Sequence, residues 1–154
     1  MSMIIKNYSL IADCEPGWTY FAHTQHCYRH FEEKVTWWRA RNECRKFGNI
    51  GLDNLCTYEP SCATLATVHD HHTNKFLESL TDHTDIVTSE DIESTINWIG
   101  GIYAHGLNAW SWDDASSFDY RNFENGEGEP ESNDNKICLK FGRYISKYFI
   151  KEFL

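Results

Sequence analysis

The chain has 154 residues, room for one domain and little else. Its net charge is −9 with the histidines neutral; nucleic-acid binders usually carry a basic stripe, so that class is disfavoured, and cation binding or simple solubility fits better. Six Trp, eight Tyr and nine Phe can fill a dense core, and six cysteines in so short a chain point to a disulfide framework and an oxidising compartment.

Residues 1–13 read as an N-terminal extension. Their apolar pieces, Met3 to Ile5 and Leu10 to Ala12, are broken by Lys6, Asn7 and Ser9, so the apolar core of a signal peptide is missing. A secreted protein whose leader is not represented in this sequence is the expectation. Asn7-Tyr8-Ser9 is a glycosylation sequon. No run approaches the length of a membrane span.

Residues 14–34 alternate aromatic and polar through Trp18, Tyr20, Tyr28 and Phe31, which predicts two short facing strands with Cys14 and Cys27 at a bridgeable spacing. Thr36 to Phe47 is the clearest helix. Trp37, Ala40, Cys44 and Phe47 make one apolar stripe, Thr36 can cap the start, Arg45 and Lys46 suit the negative end, and Gly48 stops it. Residues 48–60 are irregular, and Cys56 and Cys62, which enclose five residues, are expected to pair locally. Ala63 to Val68 reads as a short extended segment. Asp70 then begins a second helix to about Leu80, with Phe76 and Leu80 on one face, and residues 81–94 form a polar, acidic loop or weak helix end.

Trp98-Ile99-Gly100-Gly101 predicts a buried strand whose end bends or lets another backbone approach closely. Trp110 and Trp112 stand two apart, so a strand points both to one face, and Asp113-Asp114 ends it. From Glu124 to Asn135 the residues are acidic, amide or turn-forming around Pro130, an exposed loop carrying the oxygen donors that calcium takes. The sharpest site reading is calcium on Glu129, Glu131 and Asp134, with Asn133 and Asn135 close by in the chain. Strands with two helices placed early suggest an α+β domain.

The ordered series Cys14…Gly17-Trp18, Cys27-Tyr28, Trp38-x-Ala40-Arg41-x-x-Cys44, Leu65-Ala66-Thr67-Val68, Trp98-Ile99-Gly100-Gly101, Trp112-x-Asp114, Glu129-Pro130 and Cys138 resembles a C-type lectin-like domain. The likeness covers roughly residues 14–138, in the style of the secreted lectin-like proteins of nematodes. It implies two helices packed on small antiparallel sheets with a long irregular loop region, and an N-terminal hairpin tied by Cys14 and Cys27. It also implies a non-enzymatic protein that binds glycans or glycoproteins. In the resembled family a Glu-Pro-Asn triplet with a cis proline presents oxygens to calcium, and the same oxygens accept hydrogen bonds from vicinal sugar hydroxyls. Of the family's usual sugar-site calcium ligands only Glu129 stands in place on this chain; with the neighbouring oxygen donors Glu131, Asn133 and Asp134 it makes up the expected ligand-binding residues.

The chain departs from the family pattern in four places. Glu131 stands where the triplet has Asn, Lys136 replaces an expected glutamate, and no Trp-Asn-Asp segment follows Cys138. No cysteine follows position 138 either, so the partners that the resemblance implies for Cys44 and Cys138 are missing. A simply buried Cys44 and an unusual Cys44–Cys138 bridge both stay open. The domain is therefore expected over residues 14–142, incomplete at its C-terminal end, followed by an atypical tail over 143–154. The alternatives are a calcium-independent lectin-like domain that binds a protein partner, or a truncated product that binds nothing.

Two other chemistries have raw material. His69, His72 and His83 invite a zinc reading, although Asp70 suits a helix cap and zinc patterns have paired ligand groups at fixed spacings. The carboxylate pairs Asp113/Asp114 and Glu129/Glu131 invite a hydrolase reading, but no nucleophile motif accompanies them. Trp98, Trp110 and Trp112 could stack on sugars; at strand spacing they are expected in the core.

Overall fold

The structure, a computed structural model, describes residues 1–8, 13–47, 62–81, 96–123, 138–144 and 147–153. Among them are strands β1 (Ser2–Tyr8), β2 (Thr19–Phe21) and β3 (His26–Phe31), helix α1 (Trp37–Cys44), strand β4 (Thr64–Leu65) and helix α2 (His71–Thr81). Strands β5 (Asn97–Ala104), β6 (Ala109–Trp112), β7 (Cys138–Tyr144) and β8 (Lys147–Phe153) follow. One sheet runs β2-β3-β1-β5-β7-β8, with β4 paired to β1 and β6 to β5. All its pairings are antiparallel except β1 with β5, which run parallel through Ser2↔Asn97 and Met3↔Trp98.

The α+β class holds. Within residues 1–13, read from the sequence as an N-terminal extension, Ser2–Tyr8 is a central strand, paired to β3, β4 and β5. The reason lies in Met3-Ile4-Ile5. Successive strand residues face opposite ways, and here both faces of the sheet are covered, so a continuous apolar run replaces alternation. Ile4 packs with Tyr28, Val68, Leu77, Ile99 and Leu139. Met3 and Ile5 pack with Trp37, Ala40, Leu65, Trp98 and Cys138. Trp98 and Ile99, and Cys138 and Leu139, divide between the two cores in the same way. The expected small sheets are thus one sheet with α1 on one face and α2 on the other. At the far end, residues 143–154 include β8, paired to β7 from Cys138↔Phe153 to Tyr144↔Lys147.

Helix α1 starts as its sequence predicts. The Thr36 side chain accepts from the Arg39 N–H, and Trp37, Ala40 and Cys44 are buried. Two indoles then lock helix to strand reciprocally. Trp37 Nε1 donates to Ile99 O at 2.8 Å, and Trp98 Nε1 donates to Val35 O at 2.8 Å. In α2 Asp70 is the cap, accepting from Thr73 N at 2.7 Å. The face turned inward runs through Thr73, Asn74, Leu77 and Thr81, while Phe76 and Leu80 pack at its margin, half-buried.

The glycines of β5 do what close approach requires. A Cβ on Gly101 would lie 2.1 Å from Leu139 Cδ1, and one on Gly100 would lie 3.1 Å from Leu65 O. Gly100 N donates to Ala66 O at 2.8 Å and Gly100 O accepts from Asp113 N at 2.8 Å. The N-terminal hairpin is closed by the Cys14–Cys27 disulfide, with 5.8 Å between Cα atoms. Cys62 is also disulfide-bonded, and Cys56 lies outside the described residues. Cys44 and Cys138 are buried free thiols, so the bridge between them left open by the sequence is not formed. Burial pushes both thiols up, Cys138 to about 12, which makes them inert small hydrophobes here.

Candidate functional site

Glu129, Glu131, Asn133 and Asp134 lie outside the described residues. What the structure gives is the ground on either side of segment 124–137. On the N-terminal side, Phe123 packs against Trp110 and Phe118, each with 6.3 Å between ring centroids. On the C-terminal side, Cys138 opens β7, paired with Ile102 of β5.

Ahead of Phe123 lies a polar network that the sequence reading did not foresee. Lys6, dismissed there as an interruption, is a buried lysine on β1. It donates to Asp114 Oδ2 and to Thr67 Oγ1, each at 2.6 Å. Such a charge is tolerated inside only when paired, and a lone lysine between two apolar stretches was the available signal. Burial resists the ionisation of Asp114, but the Lys6 ammonium and hydrogen bonds from Lys6 and Ser116 outweigh it and hold the carboxyl below its ordinary range. Asp113 takes Arg41 of α1 as its partner. The two aspartates thus end β6, as expected, and each also pins a separate element to the turn.

His69 completes the network. Its Nδ1 lies 2.9 Å from Asp119 Oδ1, and its Nε2 lies 3.1 Å from both Thr67 Oγ1 and Ser116 Oγ. Thr67 Oγ1 also accepts from Lys6, and which His69 nitrogen donates and which accepts follows the ring's tautomer. The hydrogen bond from His69 holds Asp119 below the usual carboxylate range.

Ser116, His69 and Asp119 stand in the order of a hydrolytic triad, but the proton directions are wrong for one. Ser116 gives its hydroxyl proton to Asp114 Oδ1 at 2.5 Å and its backbone N–H to the same oxygen at 3.0 Å. Its oxygen is left to accept, and a nucleophile must instead surrender its proton to the base. The row serves to fix residues 113–119.

The remaining expectations also find their places. Trp98, Trp110 and Trp112 are 4%, 7% and 2% exposed, so they are core and not a stacking platform. His69 and His72 do not share a metal: His69 belongs to the network above, His72 lies beside His23, and His83 lies outside the described residues. Among the described residues no helix is long and apolar enough to cross a membrane.

The fold is that of the C-type lectin CEL-I from Cucumaria echinata, which superposes with a TM-score of 0.67 over 90% of this chain and 89% of that one, at 19% identity. Snaclec rhodocytin subunit alpha from Calloselasma rhodostoma is 30% identical over 114 residues, 73% of this chain and 71% of that protein. The chain belongs to the C-type lectin-like family. Ladderlectin from Oncorhynchus mykiss is likewise 30% identical over 114 residues, 74% of this chain, but the chain spans only 48% of ladderlectin's length. A snaclec coagulation factor IX/factor X-binding protein from Echis carinatus is 27% identical over 88% of this chain and 97% of its own length. No family model matches the chain. Within this C-type lectin-like fold, the oxygen-rich segment 124–137 joins the aromatic anchor at Phe123 to the start of β7.

Proposed function

We propose that this C-type lectin-like protein is secreted and binds carbohydrate in a calcium-dependent way through segment 124–137. Glu129, Glu131 and Asp134 would hold the ion, and Glu129, Glu131, Asn133 and Asp134 would meet sugar hydroxyls, on glycans or glycoproteins. The observation that carries the reading is the anchoring of a donor-rich segment to the core at both ends, at Phe123 and at Cys138. The donor chemistry fits calcium, which takes six to eight hard oxygens and tolerates irregular geometry. Lys136 is the misfit, since its ammonium opposes a cation. When bound, calcium would polarise and hold vicinal hydroxyls; the carboxylates of this chain would orient them by accepting their protons. The family's lectins, ladderlectin and CEL-I among them, support sugar as the ligand. The Cys14–Cys27 bridge supports an oxidising, extracellular setting, and the non-catalytic hydrogen-bond directions around Ser116 support a binding role.

A second reading, calcium-independent binding of a protein partner, is favoured by the likeness to the factor IX/factor X-binding snaclec and by Glu131 and Lys136. Retention on mannose and galactose supports, with calcium and with chelator, separates the two. Calcium-dependent retention that Glu129→Ala abolishes supports the first reading. Chelator-insensitive capture of a protein ligand, with no sugar retention, would replace it with the second.

A further inference from the structure

Strand β8 ends the sheet: among the described residues, Lys147–Phe153 pairs with β7 alone. Every second residue of such a strand turns its backbone N–H and C=O away from the sheet, a row that another strand can complete. Folds usually blunt an edge by shortening it or by breaking it with proline or a bulge. The opposite edge follows that rule, since β2 is only Thr19–Phe21. Strand β8 does not. Its register with β7 runs from Cys138↔Phe153 to Tyr144↔Lys147 without a shift. Its sequence holds no proline or glycine, and Tyr148, Phe149, Ile150 and Phe153 all favour extended chain. We propose that β8 pairs antiparallel with β8 of a second copy of this chain, about a two-fold axis at Ile150, so that one sheet runs through a dimer.

The charge pattern of the strand selects both the partner and the register. A two-fold axis perpendicular to a sheet keeps each face on its own side, so even positions oppose even ones and odd oppose odd. With Ile150 opposite itself, the whole of Lys147–Phe153 overlaps its copy. Lys147 then stands opposite Phe153, Tyr148 opposite Glu152, and Phe149 opposite Lys151. One face of the joint alternates cations with aromatic rings, and the other sets a phenol against a carboxylate on either side of the isoleucine pair. No like charges meet. A slip of one pleat in either direction spoils this. With Phe149 opposite itself, Lys147 opposes Lys151; with Lys151 opposite itself, two ammonium groups meet at the axis. Edge lysines ordinarily forbid pairing, but here they exclude the wrong registers and admit one.

A single pair of strands makes a small interface, of the class that associates transiently. Its value lies in valency. Strand β7 opens at Cys138, directly after segment 124–137, and β8 is its neighbour in the sheet. A dimer joined at β8 therefore carries two donor-rich segments on one particle, and two linked weak sites hold a multivalent surface far more tightly than either alone. That consequence rests on the carbohydrate reading given above; the strand pairing itself does not.

The test is sedimentation velocity of the full chain from about 5 to about 500 μM, the range of a transient interface, with amide exchange of β8 followed at both ends. It is run in chelator, so its outcome is independent of the sugar site. A monomer should give way to a dimer as concentration rises, and alternate amides of β8 should exchange about tenfold more slowly in the dimer. Tyr148→Glu sets a carboxylate opposite Glu152 of the second copy and should weaken the dimer about tenfold, whereas Tyr148→Lys sets an ammonium there and should tighten it about threefold or more. Within one chain Tyr148 lies opposite Arg143, so effects on folding run the other way, and melting temperature should favour Tyr148→Glu. The amide measurement needs no variant and decides alone if either variant fails to fold. A monomer at every concentration, or β8 amides whose exchange ignores concentration, would overturn the proposal. So would two variants that shift dimerisation in the same direction.

Discussion

The seam between α1 and β5 and the turn after β6 are held in different ways. On the α1 side the contacts are apolar and reciprocal, with Trp37 and Trp98 each donating an indole N–H to a carbonyl of the other's segment. Around the turn that follows β6 the contacts are ionic and hydrogen-bonded: Lys6 with Asp114, Arg41 with Asp113, His69 with Asp119. The lock rests on β5 through Trp98 and Ile99, and the network rests on β1 through Lys6. The difference teaches where tolerance lies. The indole lock fixes the fold, whereas the ionic network sets the conformation of the residues that lead into the donor-rich segment.

The sharpest way to break the contrast is at the lock. Trp98→Ala removes a core indole and strands the Val35 carbonyl, and should cost about 3–5 kcal/mol in urea unfolding. Next is the network. Asp114→Ala leaves the Lys6 ammonium buried without its counter-charge and should cost about 3 kcal/mol, while Lys6→Met combined with Asp114→Leu should recover much of that loss. If the single and double variants were equally unstable, the ion pair would not be the reason for the loss. Gly101→Ala drives a Cβ into Leu139 and should destabilise by about 1–3 kcal/mol, with little change on the network side.

The smallest effect is that of pH. Asp114 and Asp70 have folded carboxyls held below their ordinary range. A group with a lowered folded pKa contributes stability that is complete above its unfolded value, about 4, and that fades as pH falls through the folded one. Melting temperature should therefore hold from neutral pH to about 4 and decline below it. Asp114→Asn should show a shallower acid decline than the parent, because one of the titrating groups is gone.

Much of this was legible in the residues. Thr36, Asp70 and the stripe Trp37-Ala40-Cys44 announced both helix starts because caps and helical spacing are local signals. Gly100 and Gly101 announced a close approach, though not that Leu139 would be the neighbour. Strand β1 was missed because a fully buried strand shows no alternation, and Lys6 in its midst looked like a break when it was an ion-pair partner 108 residues from Asp114. The network at His69, Ser116 and Asp119 was likewise invisible, since it depends on segments 47 and 50 residues apart meeting in space. The ligand residues Glu129, Glu131, Asn133 and Asp134 rest on donor chemistry and family likeness.

Calorimetric titration with calcium, comparing the parent chain with Glu129→Ala at equal melting temperature, goes straight to the proposed role of segment 124–137. Heat from a saturable calcium site in the parent, abolished in Glu129→Ala while the fold is kept, is the predicted result. A parent that takes up no calcium, or a variant that takes it up as well as the parent, would contradict it.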